Sequence, residues 1–151
     1  MRDAVSRKGG PQVDKASPVM AQKIAAAVLD CERQRTGHSP QTVNVVLNED
    51  MLVIRLQGAL SAAEQALVRD PAAAAQLQAY HRELFANSSE KLREEIKRIT
   101  GVPVREARVE VETMTGAVME RFATGTVVQV FLLARAVPAG VWNGGSPGNV
   151  S

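Results

Sequence analysis

The stretch from Leu60 to Gly101 constrains this chain most, because it reads as helix and it is long. Ser61 and Glu64 have capping-box spacing, in which each side chain bonds the other residue's backbone N–H at a helix start. Asp70-Pro71 marks a second start, with Asp as N-cap and Pro as the first helical residue. Gly101 suits the left-handed position that ends a helix. Residues 72–99 would span about 42 Å at about 1.5 Å per residue. A rod of that length must organise a domain made from 151 residues. Its apolar stripe is thin: Leu77, Tyr80 and Leu84, then Leu92, Ile96 and Ile99. Asn87-Ser88-Ser89, poor helix formers that cap well, interrupts the stripe and marks the place for a kink or a restart.

On the N-terminal side of the rod, Ser17-Pro18 opens an amphipathic helix with Met20, Ile24, Val28 and Cys31 on one face, ending at Thr36-Gly37. Thr42 to Leu47 and Met51 to Gln57 alternate apolar and polar residues around Asn48-Glu49-Asp50, the pattern of a β-hairpin with one buried face. On the C-terminal side, Val104 to Thr113 alternates again, Met114-Thr115-Gly116 turns, and Ala117–Phe122 and Val127–Leu133 are strand-like. The last two form either one bulged strand or two short ones. The order αββααββ predicts an α+β fold: an antiparallel sheet with helices packed on one face and one long helix. Residues 1–16 read as a disordered leader, 17–136 as a single domain, and 137–151, rich in Gly, Pro, Ser and Asn, as a disordered tail.

The sequence pI of about 9.0 invites a nucleic-acid reading, so the location of the charge matters. Arg2, Arg7, Lys8 and Lys15 against Asp3 and Asp14 give residues 1–17 an excess of two positive charges, which is the whole net charge of the chain. The remainder is neutral and, at 3% aromatic, poor in stacking side chains. Both facts weigh against a small α+β RNA-binding domain, which stands as the alternative reading. Cys31 is the only cysteine, so an intramolecular disulfide and a thiolate metal cluster are both excluded. The longest strongly apolar run, Val127 to Ala134, is far too short to span a bilayer. A cytoplasmic location, extending to the inner face of the membrane, is the expectation.

Chemistry-bearing residues are scattered. His38 sits in a loop before Ser39-Pro40 and reads as solvated rather than as an anion or pH site. His81 has Glu83 nearby but no second ligand at i+3 or i+4, so no metal is expected. Cys31, on the apolar face of its helix, reads as core filler. Arg105, Arg108 and Arg121 are interleaved with Glu106, Glu110, Glu112 and Glu120, the mark of a mixed solvated surface. Trp142 stands alone in the tail, either an anchor for a partner or a chance tail residue. The sequence contains no Gly-x-Ser-x-Gly, no P-loop and no dinucleotide fingerprint. Neither enzyme activity nor a cofactor is expected.

Thr36-Gly37-His38-Ser39-Pro40, the run Leu52 to Glu64 with its Gly58-Ala59-Leu60-Ser61-Ala62-Ala63-Glu64, Ile99 to Val104, and Thr113 to Gly116 carry a resemblance. From about Ala25 to Phe122 the chain resembles the MpsC family, small bacterial domains named for a sodium-translocating, membrane-potential-generating system. Two departures stand out: His38 where the family has a Gly-rich loop, and the added Thr126–Ala134 with its tail. The resemblance implies association with membrane complexes that handle cations or inorganic carbon, and it brings no catalytic residues. A non-enzymatic accessory or regulatory domain that binds a protein partner is therefore expected. Val127 to Leu133 is apolar on both faces apart from Gln129, so Val128, Val130 and Leu132 call for a cover. A homodimer about a two-fold axis, using the long helix and the last strand, is expected, against a monomer in which the first helix covers that face.

Overall fold

The computed structural model describes residues 12–13, 18–111 and 126–143. Its elements run β1 (Gln12–Val13), α1 (Val19–Thr36), β2 (Thr42–Asn48), β3 (Met51–Gln57), α2 (Ala62–Leu67), α3 (Pro71–Ser88), α4 (Glu90–Thr100), β4 (Val104–Val111), β5 (Val127–Leu133) and α5 (Ala139–Trp142). The fold is α+β, as the order of patterns indicates. β2, β3, β5 and β4 form an antiparallel sheet in that spatial order, and two-residue β1 adds in parallel beside β2.

Strand alternation sends one set of side chains to the helices. Val43, Leu52, Ile54, Leu56, Val109, Val127, Phe131 and Leu133 are buried there against Ile24 and Val28 of α1, Leu77 and Phe85 of α3, and Leu92 and Ile96 of α4. Removing each such side chain from water is worth roughly 1.5–3 kcal/mol. Aromatics are scarce, so one pair has a large share: the Phe85 and Phe131 rings pack with centroids 5.8 Å apart.

The long rod is two helices. α3 ends at Ser88 and α4 begins at Glu90, with Ser89 between them at φ −84° and ψ −6°. The Ser88 hydroxyl donates to the Leu84 carbonyl one turn back, the local competition that makes serine a poor helix interior. The break lets α3 lie along β4 while α4 turns onto α1.

Helix ends explain most of the remaining local structure. Ser61 and Glu64 form the expected capping box, with the Glu64 N–H donating to Ser61 Oγ at 3.2 Å and the Ser61 N–H to Glu64 Oε1 at 2.9 Å. Asp70 occupies the N-cap position of α3 but makes no side-chain cap bond, so Pro71 at N1 is the operative start signal. Pro18 flanks α1 rather than opening it. Thr36-Gly37 and Thr100-Gly101 terminate α1 and α4 in the same way. Each threonine hydroxyl bonds the carbonyl four residues back (Glu32, 2.8 Å; Ile96, 2.7 Å) and accepts the N–H two residues ahead (3.1 Å in both), while the glycine turns left-handed.

Two boundary expectations are corrected. Gln12 and Val13, placed in a leader, pair with Thr42 and Val43. Residues 137–143, placed in a tail, are packed: Val137, Val141 and Trp142 are buried in the main core, and α5 lies against α1. The expected turn Met114-Thr115-Gly116, the strand Ala117–Phe122, and Glu112, Glu120 and Arg121 lie outside the described residues.

Candidate functional site

The helices cover one face of the sheet and leave the other open. Strand register fixes what stands on the open face. One row across the sheet runs Val46, Val53, Val130, Arg108; the next runs Asn48, Met51, Leu132, Glu106; a third runs Asn44, Arg55, Val128, Glu110. Val46 is 58% exposed and Met51 36%. Val53, Val128, Val130 and Leu132 are half-buried by their neighbours alone. The centre is therefore a connected apolar patch, bordered by Arg55 and by the alternating charges of β4. Val128, Val130 and Leu132, singled out from the sequence as needing a cover, lie in that patch, and α1 packs on the opposite face. β5 lies between β3 and β4, so both of its edges are already paired. Its hydrophobicity on both faces suits a central strand.

A second assembly lies at one end of the sheet, where two of the sequence segments meet. His38 is half-buried, not solvated, because its Nε2–H donates to the Gly58 carbonyl at 2.8 Å. That bond ties the loop after α1 to the exit of β3. Gly58 has φ +72°, and a Cβ built there would stand 2.7 Å from Gln41 Cγ, so this approach needs glycine twice over. An open cleft of about 390 Å³ lies alongside, with His38, Gln41, Gln65 and Arg69 as its polar lining.

Next to it, Glu64 has a role that its capping signal hid. Its Oε1 accepts the Ser61 N–H, and its Oε2 accepts His81 Nε2–H at 3.2 Å. His81 is only 5% exposed. Burial pushes the Glu64 carboxyl upward, but the Ser61 and His81 bonds outweigh it and hold the group below its ordinary value. The pair pins α2 to α3. His81 and Glu64 are seventeen residues apart, and nothing in either local pattern signals the contact.

Other singled-out residues are structural. Trp142 is 9% exposed within the core, so it is not a free anchor. Cys31 packs against the core, and desolvation raises its pKa, which keeps the thiol protonated and unreactive. Gly101 sits at φ +78° as required. Arg105 and Arg108 are exposed, and Arg108 pairs with Glu106 at 2.9 Å. One polar cluster had no signal at all. Glu32 of α1 is buried, pairs with Arg35 and accepts a bond from Gln129 Nε2 at 3.3 Å, while Arg35 lies 5.6 Å from the centroid of the Phe85 ring. Burial lowers the Arg35 pKa.

A half-covered antiparallel sheet, an apolar open face and loops cross-tied by side chains define a small α+β domain. Among the described residues no helix is long and apolar enough to cross a membrane. Residues 18–133 match the family described as MpsC, of the Na+-translocating membrane potential-generating system. The match covers most of the chain, and the protein belongs to the MpsC family. No curated protein and no solved structure is a match for the chain.

Proposed function

We propose that the protein is a non-enzymatic accessory or regulatory domain that binds a protein of a membrane complex handling cations or inorganic carbon, from the cytoplasmic side. The open sheet face carries this reading. Val46, Met51, Val53, Val128, Val130 and Leu132 form one contiguous apolar surface that no element among the described residues covers. Patches of this kind mark interaction sites more often than idle surface. The family name supplies the setting, a membrane-potential-generating system. The homodimer expected from the sequence on the long helix and the last strand is retained through the last strand's open face and without the helix: two copies cover it when the partner is absent.

Cross-linking and capture from native membranes tests the reading, with Val130→Lys as the control. Val130 is not part of the buried core, so the lysine variant should stay folded and lose the partner. Equal recovery of the same membrane proteins by both forms would overturn it. Light scattering of the full chain tests the second copy; a monomeric mass at tens of micromolar would remove the dimer.

A further inference from the structure

Among the described residues β4 ends the sheet, with β5 on one side and no strand on the other. The parity of its backbone follows from Val111, whose N–H turns away from β5 and donates to the Gln78 side chain. Ala107 and Val109, at two-residue spacing from it, also turn their N–H and C=O groups outward. Glu106, Arg108 and Glu110 are paired with Leu132, Val130 and Val128. A bulge between Val104 and Glu106 closes one end of this edge, and the Gln78 bond closes the other. What the described residues leave is a short window centred on Ala107 and Val109.

That window opens on a cleft of about 370 Å³ between β4 and the junction of α3 with α4. Ala107 and Val109 line it, with Phe85 beneath and Arg82, Arg93 and Arg108 around it. Ser89, also in the lining, is only 7% exposed, and although it is the residue before α4 its hydroxyl makes no cap bond. The hydroxyl is thus left for whatever enters. Three guanidinium groups face one carboxylate, Glu110. Arg82 pairs with Glu110, and Arg108 with Glu106, in exposed contacts that exchange easily. Arg93 donates only to the Val104 carbonyl, at 3.4 Å, and has no carboxylate partner among the described residues.

We propose that this cleft receives a short, extended, acidic peptide segment of the partner protein, which adds to β4 as one more strand. The idea rests on the partner-binding reading above and names where on the domain, and with what chemistry, the contact is made. The outward groups of Ala107 and Val109 supply main-chain bonds, as in other strand additions. Carboxylates on the helix side of the peptide meet Arg82 and Arg93, and one on the open side meets Arg108. The added strand also extends the open apolar face, so a partner on that face and its segment in the cleft are continuous.

Two labelled octapeptides serve as probes for the full chain, one alternating Glu and Val, the other alternating Lys and Val. Binding is read by anisotropy and by amide hydrogen exchange. The Glu-Val peptide should bind saturably, weaken at least about tenfold with Arg82→Ala or Arg93→Ala, and slow exchange at the Ala107 and Val109 amides. Ala107→Pro, which removes one outward donor from an edge strand, should abolish binding while leaving the unfolding midpoint near that of the parent. Equal binding of the Lys-Val peptide overturns the proposal, as does binding without protection of those two amides. Inorganic phosphate that displaces the peptide's arginine contacts and leaves no room for strand addition would make this a small-anion site instead. A concentration-dependent dimer dissolved by Ala107→Pro but not by Val130→Lys would assign the edge to a second copy. Membrane capture lost with Val130→Lys but unchanged in the Arg82→Ala, Arg93→Ala double variant overturns this site and leaves the partner-binding reading standing.

Discussion

Replacing Glu64 by alanine removes two hydrogen bonds made by one carboxylate, and the structure separates their costs. Oε1 closes the capping box with Ser61, and losing that cap costs about 1 kcal/mol. Oε2 satisfies Nε2–H of His81, whose side chain is 6% exposed against 26% for Glu64. An orphaned buried donor costs about 1–3 kcal/mol. Glu64→Ala should therefore cost about 2–4 kcal/mol, and Ser61→Ala, which touches only the cap, about 1 kcal/mol. Capping alone would make Glu64→Gln nearly harmless. With His81 opposite, the amide must present its NH2 to a ring nitrogen that had been a donor, so the imidazole has to change tautomer, and we expect about 1 kcal/mol. Urea denaturation at neutral pH measures all three. A pH series adds a second arm. The Glu64 pKa is depressed in the folded state, so its contribution is complete above the ordinary carboxyl value of 4.5 and fades as pH falls through the lower folded value. Glu64→Gln should flatten that part of the profile. The reasoning is refuted if Glu64→Ala is no more costly than Ser61→Ala, or if the acid loss persists unchanged in the glutamine variant.

Gly58→Ala and Gly101→Ala both force alanine into left-handed backbone, at about 1–2 kcal/mol each. Only the first also drives a Cβ against Gln41, so it should be the worse of the two in a thermal melt, and Gln41→Ala should close the gap. Trp142→Ala should cost about 3 kcal/mol in urea, because the ring is buried with Val141 and Val137 against α1; an effect under about 0.5 kcal/mol would return α5 to the status of a tail. Glu49 holds φ 60° in the β2–β3 turn, so Glu49→Gly should raise the melting midpoint by relieving that residue, by about 1 kcal/mol at most. Val130→Lys should leave the unfolding midpoint within about 0.5 kcal/mol of the parent, the usual range for surface substitutions, while changing association.

What was legible in the sequence is what depends on local periodicity and caps. The hairpin of β2 and β3, the capping box at Ser61 and the stop at Gly101 follow from spacing over a few residues, and each is present. Misreadings concern non-local contacts. Periodicity showed that Val127–Leu133 was apolar on both faces but not whether it was central or at an edge, and sheet order decides that. Asp70 had the right identity for a cap, yet Pro71 alone starts the helix. Val137, Val141 and Trp142 were hidden by glycine- and proline-rich surroundings, although an isolated Trp with one valine beside it and another five residues back is a core signal of its own. Glu32 and Gln129 are polar residues on otherwise apolar faces. Their mutual contact is invisible without the fold, and among the described residues Gln129 Oε1 has no hydrogen-bond partner.

Among the described residues, the segments that carry the family resemblance make several architectural contacts. Thr36-Gly37 and Thr100-Gly101 stop two helices by one shared device. His38 meets Gly58, and Ser61 meets Glu64, which in turn holds His81. Each of these contacts positions a loop or a helix end. None of them places a charged or nucleophilic group on the apolar open face or in the cleft beside β4. These residues of the signature build a scaffold, while Val53 and Arg55 of the same signature stand on the open face. The surfaces proposed above for recognition are the face around Val130 and the β4 edge at Ala107 and Val109. They are contiguous through Arg108, which stands beside Val130 in the same row and lines the cleft. Substitutions at these loop and helix-end residues of the signature should thus act through stability, and substitutions around Arg108 through binding. Measuring both quantities for Ser61→Ala and Arg108→Ala tests that division directly. A Ser61→Ala protein that is fully folded at the assay temperature yet has lost its partner would show that the signature does recognition itself.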